Sequence, residues 1–268
     1  MLKFKTWAQA FFEDSEKKSS RAGWVLLLFT LALLTLSVLG LNLSGRDSPR
    51  VAGIAREMAV TSNYLVPRLN GEDFLEYPSL GYWPIALALS MSKNPPDFLA
   101  FLPIVLLGTG TVLITYLIGR KLAGEKIGLM AGFLLATMSA FITFHRHFRV
   151  DPVLLFFTTA SLYGFVAGHQ ASRKRFLFFS LFYLAMAGAF LSKGIIGIAI
   201  PAGVVFVFLI TRRDFKAIWK LLLNPALLFI LLPIFLWVAG VWRVEGSSIF
   251  KEWFRQSLWR FSSSSAGH

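Results

Sequence analysis

Residues 23–43 read GWVLLLFTLALLTLSVLGLNL, and residues 44–80 continue SGRDSPRVAGIAREMAVTSNYLVPRLNGEDFLEYPSL. The first stretch meets the length that crosses a bilayer, about 20 apolar residues for a hydrocarbon core of ~30 Å. The second sets Arg46, Asp47, Arg50, Arg56, Glu57, Arg68, Glu72, Asp73 and Glu76 among prolines 49, 67 and 78. Helices that only hold one another together seldom need a charged, proline-punctuated loop of this length. Long loops between regular elements are where function concentrates.

Composition fixes the class around that loop. The chain has 268 residues, 56% of them hydrophobic and 15% charged, whereas soluble domains carry about 25% charged residues. Apolar runs of spanning length recur along it, so the sequence predicts an all-α polytopic membrane protein. The formal net charge of +13 does not point to nucleic acid. Lys and Arg sit in short connectors between apolar runs, where cations anchor helices on the cytoplasmic side. With no cysteine, disulfides and thiolate metal sites are excluded. Residues 1–22 are a short segment carrying Lys3, Lys5, Lys17, Lys18 and Arg21. The run that follows is longer than a signal-peptide core and lacks a small-residue cleavage site, so it reads as an uncleaved anchor.

The predicted spans are 23–43, 98–119, 126–145, 152–169, 176–192, 194–211 and 221–242, about seven helices with the N-terminus inside and the C-terminus outside. Orientation rests on density. Arg120-Lys121, Arg173-Lys174-Arg175 and Arg212-Arg213 crowd three short connectors, while the cations assigned outside lie in long segments beside carboxylates. The apolar part of Gly81–Ser92 is too short to cross, at ~18 Å for about 12 residues. It reads as an interfacial or re-entrant helix with Tyr82 and Trp83 at headgroup level. Within the outer loop 44–97, Ser48 suits an N-cap and Pro49 a first helical position. Val51, Ile54, Ala55 and Met58 recur at helical spacing, predicting an amphipathic helix over 49–61 that lies on the bilayer. Residues 23–243 form the transmembrane core, and 244–268 read as an outer amphipathic segment.

Three sequence sites converge on the outer surface in this topology. They are Asp47 with Arg50, the run His145-Arg146-His147-Phe148-Arg149-Val150-Asp151-Pro152, and Ser192-Lys193-Gly194. Cations and carboxylates at a dry boundary suit transfer from an anionic donor, with Arg or Lys holding a phosphate and a carboxylate taking a proton. Each has a plainer reading. Asp151-Pro152 also suits a helix start, Lys193 a snorkelling helix end, and Arg50 and Arg56 interfacial anchors. His145 and His147, two apart, do not share a helical face and make a weak metal pair.

The order of these pieces resembles the membrane glycosyltransferases that use polyprenyl-phosphate sugars, a superfamily with the protein O-mannosyltransferases and the lipid A aminoarabinose transferases. The family's Asp-Glu-x-Arg-Tyr loop and following Ala-Arg-Glu-Met are similar to Asp47-Ser48-Pro49-Arg50-Val51 and Ala55-Arg56-Glu57-Met58. Its Leu-x-Pro-x-Leu-Asn-Gly run is matched by Leu65-Val66-Pro67-Arg68-Leu69-Asn70-Gly71, and its Phe-Glu-Lys-Pro-Pro-Leu-x-Tyr-Trp by residues 75–83. Tyr116 to Gly124 resembles its first inner loop, Asp151 its second acidic position, and Lys193-Gly194 its Thr-Lys-Gly-Pro step. Trp253 to His268 looks like an outer helix ending Arg-Phe, followed by a His. The likeness runs from about residue 20 to the last residue.

That resemblance implies a C-type membrane glycosyltransferase bundle in the bacterial cytoplasmic (inner) membrane, active face outward. A sugar moves from a polyprenyl-phosphate carrier to a hydroxyl or amine of a lipid, glycan or protein, with inversion. It makes Asp47 the base and Asp151 a second catalytic carboxylate, turns Arg50, Lys193 and Arg260 toward the donor phosphate, and puts Glu76, Tyr77 and Tyr82 on the substrate loop. Family members differ in using a divalent metal, and no residue here identifies a metal site or another cofactor. Three positions depart from the pattern: Ser48 replaces an acid, Val51 a Tyr, and Tyr77 the Lys expected at the phosphate. Relatives continue through further spans, so the sequence also fits a truncated or non-catalytic relative that binds polyprenyl phosphate or a partner enzyme. A small transporter would need mid-membrane charges and an internal repeat, and the sequence has neither.

Overall fold

A computed structural model describes residues 19–39, 48–74, 76–92 and 97–246, with only the backbone described at 19, 20, 48 and 97. Helix α1 (Ser19–Val38) comes first, then α2 (Ser48–Thr61) and a two-residue hairpin, β1 (Arg68–Leu69) against β2 (Glu72–Asp73). A 3-10 turn (Ser79–Gly81) leads into the short α3 (Trp83–Ser90), and the long α4 (Asp97–Ala123) follows. Helices α5 (Glu125–Thr137), α6 (Ser139–His145), α7 (Asp151–Gln170), α8 (Arg175–Lys193) and α9 (Ile196–Thr211) continue the bundle. The described residues end with α10 (Phe215–Leu222), a 3-10 turn (Pro225–Leu227) and α11 (Leu228–Glu245).

Among the described residues, five helical stretches are long and apolar enough to cross a membrane: Arg21–Val38, Phe98–Ala123, Asp151–Gln170, Arg175–Lys193 and Pro225–Glu245. The pair α5–α6 counts as a sixth if taken as one bent span. The sequence predicts it straight over 126–145, but the axis turns by 59° where Met138 takes an extended conformation. Thr137 and Ser139 flank that residue, and such short hydroxyl side chains compete for backbone groups; the Thr137 hydroxyl donates to Phe133 O at 2.9 Å. Helix α9 has 16 residues, ~24 Å at 1.5 Å each, short of the ~30 Å core. The last predicted span, 221–242, is really two elements. Asn224 Oδ1 caps the turn by accepting from Ala226 N at 2.9 Å, and Pro225 follows at its first position.

Lipid tails are as apolar as leucine, so close approach of helices holds such a bundle together. Gly128 shows it most sharply: a Cβ there would lie 2.6 Å from Tyr116 O and 2.7 Å from Arg120 N. Helices α4 and α5 therefore touch backbone to backbone at their shared turn. One core joins α1 to α6, and a second joins α7 to α11. The amphipathic face of α2 packs inward. Val51, Ile54, Ala55 and Met58 are all buried, in one cluster with Ile85 and Ala86 of α3. This departs from the expectation of a helix laid on the bilayer: the apolar stripe meets a complementary protein surface first. For the same reason Tyr82 is 1% exposed, and Trp83 Nε1 donates to Tyr64 O at 2.6 Å.

Candidate functional site

Helices α7 and α8 are antiparallel neighbours, so the start of one and the end of the other share one end of the bundle. Asp151 opens α7, with Pro152 next, where a fixed φ and a missing N–H cost nothing. The cap position falls on Val150, whose side chain gives no hydrogen bond, and the Asp151 carboxylate meets α8, where Lys193 Nζ donates to Asp151 Oδ1 at 2.5 Å. Lys193 is the last residue of α8, and the next, Gly194, ends the helix with φ 71°, a conformation costly for any residue with a Cβ. Its N–H bonds Phe190 O at 2.6 Å. The charged pair is thus fixed by two helix ends, one closed by proline and the other by glycine.

Above it lies the loop preceding α3. The Tyr77 ring stacks on Lys193, with Nζ 5.3 Å from the ring centroid. Gly81 seats this loop: a Cβ there would be 2.8 Å from Val150 Cγ1 and 2.9 Å from Ser192 O. Only glycine lets the turn come down onto residues adjoining both Asp151 and Lys193. One residue past Tyr77's neighbour Pro78, Ser79 Oγ accepts from Trp237 Nε1 of α11 at 3.1 Å. From the other side, Arg50 of α2 reaches Glu76, Nη1 to Oε2 3.3 Å, with its guanidinium 5.5 Å from the Phe74 ring.

The hairpin is tied down as well. Arg68 bonds Asp73 at 2.9 Å and Glu245 of α11 at 2.6 Å. The Asp73 hydrogen bond, helped by Glu245, raises its already high pKa and holds it charged. Glu57 of α2 accepts from Gly71 N at 3.1 Å, and Asn63 Oδ1 accepts from Leu65 N and Val66 N at 3.1 and 3.3 Å. A rigid frame surrounds a pair that is only partly covered: the Lys193 and Asp151 side chains are 19% and 31% exposed.

The structure therefore brings the second and third predicted sites together, and joins the first to them through Arg50 and Glu76. Asp47 and Arg260 lie outside the described residues. Tyr77 stands at the pair; Tyr82 is buried beneath it in the first core. His145 is fully buried, with Nδ1 2.7 Å from Phe141 O of its own helix, so that nitrogen carries its proton toward a carbonyl. Among the described residues no group of three or more His, Asp or Glu is placed to hold a metal ion. Three contributors escape sequence reasoning: Gly81, whose role needs the fold, and the tethers Trp237 to Ser79 and Arg68 to Glu245, whose partners are far apart in the chain.

The sequence pattern of the family described as dolichyl-phosphate-mannose-protein mannosyltransferase matches residues 76–237. An undecaprenyl phosphate-α-4-amino-4-deoxy-L-arabinose arabinosyl transferase of Edwardsiella ictaluri is 28% identical over 205 residues, covering 74% of this chain and 36% of its own length. A second transferase of that name, from Proteus mirabilis, is 25% identical over 257 residues, covering 94% and 46%. Among solved structures, ArnT from Cupriavidus metallidurans bound to undecaprenyl phosphate superposes with a TM-score of 0.77 at 23% identity, over 84% of this chain and 42% of that one. The Saccharomyces cerevisiae protein O-mannosyltransferase Pmt1–Pmt2 complex bound to the sugar donor gives 0.69 at 19%, over 86% and 34%. The chain spans about a third to a half of the length of these relatives. It belongs to the dolichyl-phosphate-mannose-protein mannosyltransferase family.

Proposed function

We propose that this family member carries the donor-side machinery of a membrane glycosyltransferase, moving a sugar from a polyprenyl-phosphate carrier to a hydroxyl or amine on the outer face of the membrane. The observation that supports it most is the Asp151–Lys193 pair, fixed at two helix ends beneath the loop that carries Glu76 and Tyr77. An ammonium has three N–H groups. Asp151 engages one of them, which orients Lys193 while leaving donors for a phosphate. Arg50 and Arg260 add positive charge from α2 and from the segment after α11. The transmembrane core is residues 23–243 with seven crossings, the N-terminus inside, and the outer loop 44–97 on the active face.

In the reaction, the acceptor oxygen or nitrogen attacks the anomeric carbon opposite the phosphate. A new glycosidic bond forms as the bond to phosphate oxygen breaks, and the configuration inverts. Asp47 takes the acceptor proton, and the electron pair leaves on the polyprenyl phosphate, stabilised by Lys193. Tyr82 supports the substrate loop from beneath. The test is transfer from a polyprenyl-phosphate sugar by purified protein, where Asp47→Asn is expected to abolish turnover but keep undecaprenyl phosphate bound. Unchanged turnover removes Asp47 as the base.

One observation favours a second reading. Tyr77 stands where relatives place a phosphate-facing Lys, and its ring covers the lysine that remains. A relative that binds polyprenyl phosphate without transferring a sugar would keep that arrangement. Tyr77→Lys decides between them: a gain of turnover from an inactive parent supports the binding reading, and no gain from an active parent supports the transferase.

A further inference from the structure

Helices α7 and α8 also share an end away from Asp151 and Lys193, and there they border a cleft of about 420 Å³ closed by α10. Its lining holds His169, Arg175 and Lys220 with Phe179, Trp219 and Asn224, and no acidic residue. Aromatic rings hold two of these side chains in place. The Arg175 guanidinium lies 5.5 Å from the Phe179 ring centroid. The His169 ring stacks on Phe165 at 5.6 Å and meets Phe208 edge-on at 6.0 Å. Among the described residues, neither Arg175 nor Lys220 is paired with a carboxylate. The acid nearest in sequence, Asp214, caps α10 by accepting from Ala217 N at 3.1 Å.

Helix α10 also carries its own depth gauge. Ala217, Ile218 and Leu221 pack on the second core, and Tyr183 Oη anchors the helix by donating to Leu221 O at 2.7 Å. Phe215, Trp219, Leu222 and Leu223 are 57–79% exposed. A helix with one face in the protein, exposed aromatics and lysines between them lies at a membrane interface. Basic recesses between helices at that depth take anionic headgroups.

We propose that the α7–α8–α10 cleft binds the phosphodiester headgroup of an acidic phospholipid. Arg175 and Lys220 contact its phosphate oxygens, the Asn224 amide donates at the rim, and Trp219 lies along the glycerol. Asn224 Oδ1 is already spent on Ala226 N, which leaves its NH₂ for this purpose. The site is independent of the transfer chemistry proposed for the other end.

The test is native mass spectrometry of the full chain in detergent, titrated with phosphatidylglycerol and, separately, phosphatidylcholine. The wild type is expected to prefer phosphatidylglycerol. An R175Q/K220Q variant should bind it about 25-fold more weakly, at roughly fivefold per cation. An R212Q/R213Q variant, which removes the same charge from the adjacent connector, should bind as wild type. Both altered pairs are exposed, and circular dichroism melting confirms that each variant folds; K220Q alone, expected about fivefold weaker, serves if the double variant does not. Equal losses in the two double variants overturn the proposal, as does equal binding of the two lipids. Displacement of the bound lipid by inorganic phosphate assigns the cleft to a soluble anion and overturns it too.

Discussion

Tyr116, Glu125 and Arg120 at one end of the bundle, and Tyr77, Asp151 and Lys193 at the other, are the same three kinds of side chain arranged to different purposes. In the first set Tyr116 Oη donates to Glu125 Oε1 at 2.6 Å, and Arg120 Nε lies 3.1 Å from Glu125 Oε2. Glu125 is 8% exposed and Tyr116 2%, so the carboxylate is held inside the protein, Oε1 by the phenol's hydrogen bond and Oε2 by the charge of Arg120. In the second the phenol offers its ring face, one carboxylate oxygen meets one ammonium proton, and the group stays open to the surface. The first set locks the α4–α5 turn. The second is held by its surroundings and keeps donors to offer. A carboxylate, a cation and a phenol in sequence do not distinguish these cases; burial of the carboxylate does.

If the open set is the working one, Lys193→Met has the largest effect. Undecaprenyl phosphate binding should fall about a hundredfold, while stability falls by only about 1 kcal/mol, because the pair is partly exposed at the surface of the bundle. Isothermal titration in detergent alongside thermal melting checks both halves. Loss of fold without a specific binding defect would make the two ends equivalent and break the contrast.

The locked end predicts the reverse pattern. Gly128→Ala forces apart two touching backbones and should destabilise by about 1–3 kcal/mol, read by denaturant unfolding with a fluorescence probe. Glu125→Gln comes next, at about 1–2 kcal/mol, because the bond from the buried Tyr116 phenol falls from a charged acceptor to a neutral one and Arg120 loses its carboxylate. It should leave undecaprenyl phosphate binding at the wild-type level. A binding loss there would show that the locked set reaches the partly open one. Smallest is Arg68→Ala, under about 1 kcal/mol globally for a half-open ion pair. Its signature is local: faster hydrogen exchange at Phe74 N, which bonds Pro67 O across the hairpin at 2.8 Å.

Sequence legibility divides along the same line. The long helices, the Asp151-Pro152 start and the Lys193-Gly194 stop are readable because apolar length, a fixed φ and a missing Cβ act locally. That Asp151 would meet Lys193 instead of capping its own helix depends on α7 and α8 lying side by side, which no local pattern encodes. The apolar stripe of α2 is plain in the sequence, but periodicity cannot say whether it faces lipid or protein. The bend at Met138 has no proline to announce it. Conversely, Asn224-Pro225 does announce a break, and a hydropathy window averages it away. That averaging also conceals α10, whose Lys216 and Lys220 sit between apolar residues and make sense only once the helix is seen side-on.

Helix α9 has a consequence for the lipid itself. At ~24 Å it is shorter than an ordinary hydrocarbon core of ~30 Å, and it follows Lys193 after a two-residue turn. Where so short a helix crosses, the mismatch is relieved by thinning the adjoining bilayer or by snorkelling of flanking side chains, at a fraction of a kcal/mol per Å. The leaflet beside α9 would then dip, and the headgroup plane with it. A phosphate riding in that leaflet would reach the level of Lys193 by following a sloping surface, without leaving its lipid neighbours behind.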